Sequence, residues 1–327
     1  MKVEGERVTE IREREAEGFG AGAVELVGLH DGVEAGREVM IPVAIRAKGK
    51  VYPAVAGANL FVDPAHRKSN LGMLLPEAMR AASPSGVAVA GAVSRLAQPV
   101  YEFLGFAKFK MPRHAIPLHG RRHFGWLIGM AVAVYRTLLT AVAAIRTRGL
   151  KIEPVAVDDE KTIRAVADLI AADRHPYGEV HDADWLRRHM RESFTSEHPL
   201  EMVVVRRKGR LVGFAMTKVR RRETLRNLKD VRHGMVVEWQ FAADVERVGG
   251  WLLVRSALGL RDRADLVEIA TDDEGVRKLL RRLGWRPVDY ENFMIGMTET
   301  SPLADDAELR NPENWRLRPA MGDNGLS

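Results

Sequence analysis

"PAHRKSNLGMLLPEAM", Pro64 to Met79, decides how the rest of the chain is read. Arg67, Lys68, Ser69 and Asn70 lie between a proline and Gly72, and an apolar helical segment follows. A basic, polar loop feeding straight into a helix can hold phosphate groups, because the first backbone N–H groups of a helix have no partner within it and carry its positive end. The same letters also describe an ordinary helix start with Ser69 or Asn70 as the N-cap. Where a phosphate loop would have a glycine, this one has Asn70, a residue that tolerates positive φ better than most.

The chain has 327 residues, 50 Lys and Arg against 44 Asp and Glu, and a net charge of +6. That length predicts two domains. The charge suits an anionic cofactor, but no dense basic stripe with interleaved aromatics marks a DNA-binding surface. With no cysteine, disulfides, thiolate metal sites and cysteine nucleophiles are excluded. His175, His181, His189 and His198 show no repeated ligand spacing, so no metal site is expected. The charged N-terminal sequence lacks the form of a signal peptide, and a cytoplasmic location is expected.

Residues 124–145 are long and apolar enough to span a bilayer, with Arg136 as the sole charge. Leu127, Met130, Val134, Leu138, Val142 and Ile145 recur at helical spacing, with Gly129, Ala133, Arg136, Thr137 and Thr140 opposite. Because a central Arg costs roughly 2.5–3.5 kcal/mol on insertion scales, a buried or interfacial connecting helix is expected rather than a membrane anchor.

Two phrases repeat: "YEFLGFAKF" (101–109) and "LLRRLGWRPV" (279–288) each read as a helix end, a glycine and a strand. Aligning Gly105 with Gly284 sets an offset of 179 (284 − 105 = 179), and strands and helices elsewhere fall into register. The second repeat opens with a strand and helix near Lys151 that have no counterpart 179 residues earlier. The first repeat is therefore expected to lack its opening strand and helix. The expected organisation is a first unit at 1–123, a connecting helix at 124–150, a second unit at 151–300 and a polar tail at 301–327 containing a short strand around 314–318.

The order of strand, "VDPAHRKSNLGMLL" loop and helix, strand, then "VSRLAQPVYEFLGF" resembles the CoA-binding half of the GNAT (Gcn5-related N-acetyltransferase) family. The second repeat is similar but degenerate. The resemblance implies an α/β (α+β) protein of two tandem GNAT-like folds, each a mixed, mostly antiparallel twisted sheet flanked by helices. The family loop is Arg/Gln-x-x-Gly-x-Gly/Ala. Arg67 and Gly72 match it, Asn70 departs from it, and Arg67, Lys68, Ser69, Asn70, Leu71 and Gly72 become the pyrophosphate-binding candidates. The family's Asn-x-x-Ala-x-x-x-Tyr spacing falls on Ser94, Ala97 and Tyr101. The resemblance implies that Ser94 and Ala97 meet the pantetheine arm and that Tyr101 protonates the leaving thiolate. The alternative for Tyr101 is a half-buried helix aromatic. A backbone N–H near Leu60 or Val62 would polarise the thioester carbonyl.

Many GNAT enzymes also carry a basic Glu on the strand before the loop. Here that strand has no acid, and Asn59 aligns with Glu238 of the second repeat, which makes Glu238 a candidate base or else a structural carboxylate. Because Glu246, Trp251 and Leu280 replace Arg67, Gly72 and Tyr101, the second repeat is not expected to bind CoA in the usual way.

The expected reaction is acyl transfer, most simply acetyl, from acetyl-CoA or another acyl-CoA to an amine of a small molecule or sugar precursor. A second domain or the partner of a homodimer would complete the acceptor cleft. The rivals are a Fem-like transferase using aminoacyl-tRNA, disfavoured by the CoA-type loop, and a non-catalytic CoA-binding scaffold.

Overall fold

The computed structural model describes residues 9–17, 19, 22–191, 200–225 and 227–321. In chain order the first half runs β1 (Thr9–Glu15), β2 (Val24–His30), β3 (Val33–Ala47), β4 (Lys50–Val62), α1 (Leu71–Ala82), β5 (Val87–Ala90), α2 (Gln98–Phe103) and β6 (Ala107–Pro117). Helix α3 (Arg121–Arg146) leads to β7 (Leu150–Pro154), α4 (Glu160–Ala171), β8 (Tyr177–Glu179) and α5 (Ala183–Arg191). The second half closes with β9 (Glu201–Arg207), β10 (Arg210–Leu225), β11 (Leu228–Phe241), α6 (Glu246–Leu258), β12 (Leu266–Ala270), α7 (Glu274–Arg282) and β13 (Arg286–Met297).

Subtracting 179 carries β11 onto β4, β12 onto β5, α7 onto α2 and β13 onto β6 to within a few residues. The described strands form one 13-stranded sheet in the order β1-β2-β3-β4-β5-β13-β6-β12-β11-β10-β9-β7, with β8 attached to β3. The repeats exchange their last strands. β13 of the second lies between β5 and β6 of the first, and β6 lies between β13 and β12. Among the described strand pairs, only β4–β5 and β11–β12 are parallel. Each repeat thus borrows a strand to complete its sheet, so neither half can bury its centre alone.

The expected loss of an opening strand is corrected. β1 pairs with β2 (Thr9 opposite His30), as β7 pairs with β9 at the other edge. What the first repeat lacks is the pair of helices α4 and α5, so the constant offset fails ahead of β2. "TEIRERE" escaped notice because a charged edge strand needs no alternating apolar face.

The polar tail expected at 301–327 is packed into the protein as far as it is described, through Met321; 322–327 lie outside the described residues. Trp315, Arg316, Leu317, Ala320 and Met321 are buried. Trp315 pairs with Tyr177 of β8, and the Ala320 N–H donates to the Val237 carbonyl of β11 at 2.9 Å.

Helix α3 lies on the surface with one face covered. On its inner face Leu139 and Ala143 are buried against the cluster that holds Leu253 and Ala257 of α6, Gly129 is buried, and Arg136 donates to the Leu118 carbonyl at 3.1 Å. The apolar stripe faces solvent, with Leu127 66% exposed, Leu138 61% and Ile145 71%. Small residues let the helices approach closely, and the Leu118 carbonyl gives Arg136 a partner on the buried side.

Candidate functional site

Strands β4 and β5 run together from Val55 opposite Ala88 to Gly57 opposite Ala90, and then separate. A bulge causes the separation. Val39 faces Ala58 but Arg37 faces Phe61, so β4 carries an extra residue there, and Asn59 takes φ +54°. An unpaired residue of this kind bends its strand and re-aims the side chains beyond it. β11 carries an extra residue at Val237, next to Glu238, the residue 179 positions after Asn59. Beyond Gly57 no β5 residue pairs with β4, so the backbone around Leu60 and Val62 opens into the wedge on that side. Leu60 packs against the cluster around Tyr101.

α1 begins at the mouth of this wedge. Asp63 ends β4 and accepts the Ala65 N–H at 2.7 Å, and the Ser69 hydroxyl donates to the His66 carbonyl at 2.6 Å. Asn70 sits at the N-cap with φ −74°, so the positive φ considered for it is not adopted, and its side chain makes no capping bond. Ser69 Oγ lies 3.5 Å from the Leu71 N–H. Leu71 itself is buried. At Gly72 an added Cβ would find only Val62 Cγ2, at 4.0 Å, so the backbone is open to close approach. Arg67 and Lys68 are exposed, and among the described residues neither has a hydrogen bond or ion pair. Ser94 Oγ accepts the Ala97 N–H at 3.3 Å and starts the turn into α2.

Tyr101 is buried, edge-on to Phe106, and its hydroxyl donates to Glu38 Oε1 at 2.6 Å. The sequence reading missed Glu38. It lies on β3, not on the strand searched for an acid, and it faces the cluster around Tyr101 with Met40, while Val39 and Ile41 face the cluster on the other side of the sheet. Burial pushes its carboxyl up to about 8 against the opposing pull of the Tyr101 hydrogen bond. Its second oxygen, Oε2, is buried and has no hydrogen-bond partner among the described residues. In the second repeat Thr217 and Leu280 stand at the positions of Glu38 and Tyr101 (38 + 179 and 101 + 179), so both members of the pair are missing there.

Gly57 fixes the space for this pair. An added Cβ would lie 2.5 Å from Met79 Sδ and 2.7 Å from Glu38 Oε1. Gly57→Ala is expected to cost about 1–3 kcal/mol through overpacking, read as a lower urea midpoint with an unchanged m-value.

Glu238 is fully buried beside the bulge of β11. It accepts from the Trp239 N–H at 2.8 Å and from His181 Nδ1 at 2.5 Å, and it pairs with Arg316 of the tail. The two guanidiniums of Arg316 and Arg318 and the His181 ring outweigh burial and hold it well below the usual carboxylate range. Glu238 and Glu179 in turn raise His181. A carboxylate kept ionised by several cations is a weak proton acceptor. Of the two alternatives for Glu238, this is the arrangement of the structural carboxylate, clamping the tail to β11.

The second repeat has a wedge of its own. A cavity of 730 Å³ lies where β11 and β12 separate, lined in part by Trp239, Phe241, Gly249, Gly250, Thr271 and Leu317. Gly249 occupies the position of Asn70 (249 − 179 = 70), so each repeat carries part of the glycine pattern. An added Cβ at Gly249 would lie 3.0 Å from Phe241 Cδ2, so packing of that ring already accounts for this glycine. Glu246, in the first turn of α6, places a carboxylate where a phosphate would sit. His198, among the histidines considered as ligands, lies outside the described residues.

Solved structures share this architecture. A GCN5-related N-acetyltransferase from Anabaena variabilis matches with a TM-score of 0.52 at 15% identity, over 85% of this chain and 63% of its own. Saccharomyces cerevisiae N-myristoyltransferase with bound myristoyl-CoA matches with 0.56 at 13%, over 83% and 69%. The fold is that of the GNAT superfamily. A tandem GNAT protein from the clavulanic acid biosynthesis pathway matches over 84% of this chain and 83% of its own, with a TM-score of 0.52 at 13% identity. No protein-family model and no curated protein sequence matches the chain. At such identities the likeness is one of GNAT fold, and the chain spans about 63% of the length of the Anabaena protein.

Proposed function

We propose that this protein is an acyl-CoA-dependent N-acyltransferase, acetyl-CoA being the simplest donor and an amine of a small molecule or sugar precursor the acceptor. The observation that carries this reading is the unpaired Arg67 and Lys68 beside the open Gly72 backbone at the start of α1. Two free cations, unpaired N–H groups and a helix N-terminus fit a pyrophosphate. An acyl-CoA bound there would supply an activated thioester, and the other groups act on it from this chain's side. Backbone N–H groups around Leu60 and Val62 would face the oxyanion that develops as the amine attacks. Tyr101 would give its proton to the departing thiolate. Glu38, holding a proton below about pH 8, would return one to the phenolate, and the amine's proton would leave to solvent.

Isothermal titration with acetyl-CoA tests the cradle. Arg67→Glu replaces an attraction with a repulsion beside the pyrophosphate and is expected to weaken binding by at least about tenfold. Unchanged affinity would remove the loop from the site. A second reading, favoured by the 730 Å³ cavity, places acyl-CoA in the second repeat. It predicts that Arg277→Glu, in that cavity's wall, weakens binding while Arg67→Glu does not.

A further inference from the structure

α3 carries its apolar side outward. Trp126, Leu127, Met130, Val134, Leu138 and Ile145 are all more than half exposed, and the one charged residue between them in sequence, Arg136, bonds to the Leu118 carbonyl. The helix is fixed by its other face, where Leu139 and Ala143 are buried and Arg136 is bonded to the Leu118 carbonyl. It therefore lies flat on the protein with its apolar stripe unpartnered, an exposure that marks an interaction surface.

The charge pattern selects the partner. Between Phe103 and Ile152 the sequence holds nine Lys and Arg residues and no Asp or Glu. Basic residues bracket the stripe, with Arg121 and Arg122 before it and Arg146, Arg148 and Lys151 after it. A second copy seated on this face by a two-fold axis would set basic end against basic end, whether the helices ran parallel or antiparallel. An anionic lipid surface complements both features at once: the stripe enters the boundary between headgroups and acyl chains, and the flanking cations meet lipid phosphates. Trp126 stands at one end of the stripe, and aromatic rings of this kind favour the headgroup level.

We propose that α3 docks the protein on the surface of an anionic membrane, lying in the interface without spanning it. A helix lying in the interface is compatible with the expectation drawn from the cost of a central Arg136, a buried or interfacial connecting helix rather than a membrane anchor. The docking does not depend on which molecule the wedge binds.

The test is flotation of the full chain with vesicles of phosphatidylcholine alone and of phosphatidylcholine mixed with phosphatidylglycerol. Binding to the mixed vesicles that falls with added salt is expected. Leu127→Glu with Leu138→Glu, both on the exposed face, should weaken it by at least about tenfold while leaving the thermal midpoint in place. Arg146→Glu with Arg148→Glu leaves the stripe intact and should weaken binding to the mixed vesicles alone. No binding to either vesicle overturns the proposal. So does a dimer in sedimentation that Leu127→Glu with Leu138→Glu splits, because a second copy then covers the face. Association that survives alkaline carbonate overturns it as well, since the helix would then span the bilayer.

Discussion

Tyr101→Phe is expected to lower kcat for acyl transfer about a hundredfold while leaving the KM for acetyl-CoA near that of the parent. Removing a positioned general acid costs this much, and a step confined to the departing thiolate leaves ground-state binding alone. The hydroxyl's partner makes the expectation specific. Tyr101 donates to Glu38 at 2.6 Å inside the core, so the variant also takes away the hydrogen bond that this buried carboxyl accepts. Glu38→Gln keeps the shape and removes the titrating group. Because burial raises Glu38 from 4.5 to about 8, the folded protein holds a proton that the unfolded chain releases. Its stabilisation is thus complete below about pH 4.5 and lost as pH rises towards 8. Glu38→Gln should therefore gain stability relative to the parent across that window, up to a few kcal/mol, measured by urea unfolding at pH 5 and pH 8. A Tyr101→Phe rate within threefold of the parent would remove the phenol from the chemistry.

The repeat was legible because its elements are local. Glycine-ended helices followed by strands recur at a fixed offset, and that offset carries β11 onto β4 and β13 onto β6. The strand exchange was not legible, because no local pattern distinguishes a β13 that pairs with its own repeat from one that pairs with β5. Hydrophobic periodicity identified the stripe of α3 but could not say which face the protein covers, and small residues with one bonded arginine decided that. The pyrophosphate loop could be read as a motif, yet Asn70 enters α1 without the left-handed turn a glycine would allow. Glu38 was hidden because the sheet is covered on both faces. Val39 packs into one cluster and Glu38, with Met40, faces the other, so no alternation of buried and exposed residues singles out its side. The tail looked solvated by composition because its arginines are charged. Arg316 and Arg318 are buried only because Glu238, Asp173 and the Trp239 carbonyl receive them.

That buried cluster carries the largest expected effect on stability. Arg316→Ala removes the guanidinium that pairs with Glu238 and lies 3.7 Å from Asp173, both almost wholly buried. Stripping one partner from a buried pair leaves an uncompensated charge and typically costs about 3–5 kcal/mol, so a fall in Tm on the order of 10 °C is expected by calorimetry. The sign of its pH dependence follows from the pair. Glu238 is depressed in the fold, so its stabilisation is present above about pH 4.5 and disappears as pH falls through its folded value. His181 is raised, so its share is complete below about pH 6.5 and fades as pH rises through its own folded value. Together they predict greatest stability from this cluster between roughly pH 4.5 and 6.5. Arg316→Ala with Glu238→Gln should recover part of the loss, because the second change removes the stranded charge. Were the double variant as unstable as the single one, packing of the Arg316 stem against the tail, and not charge, would be what holds the tail on β11.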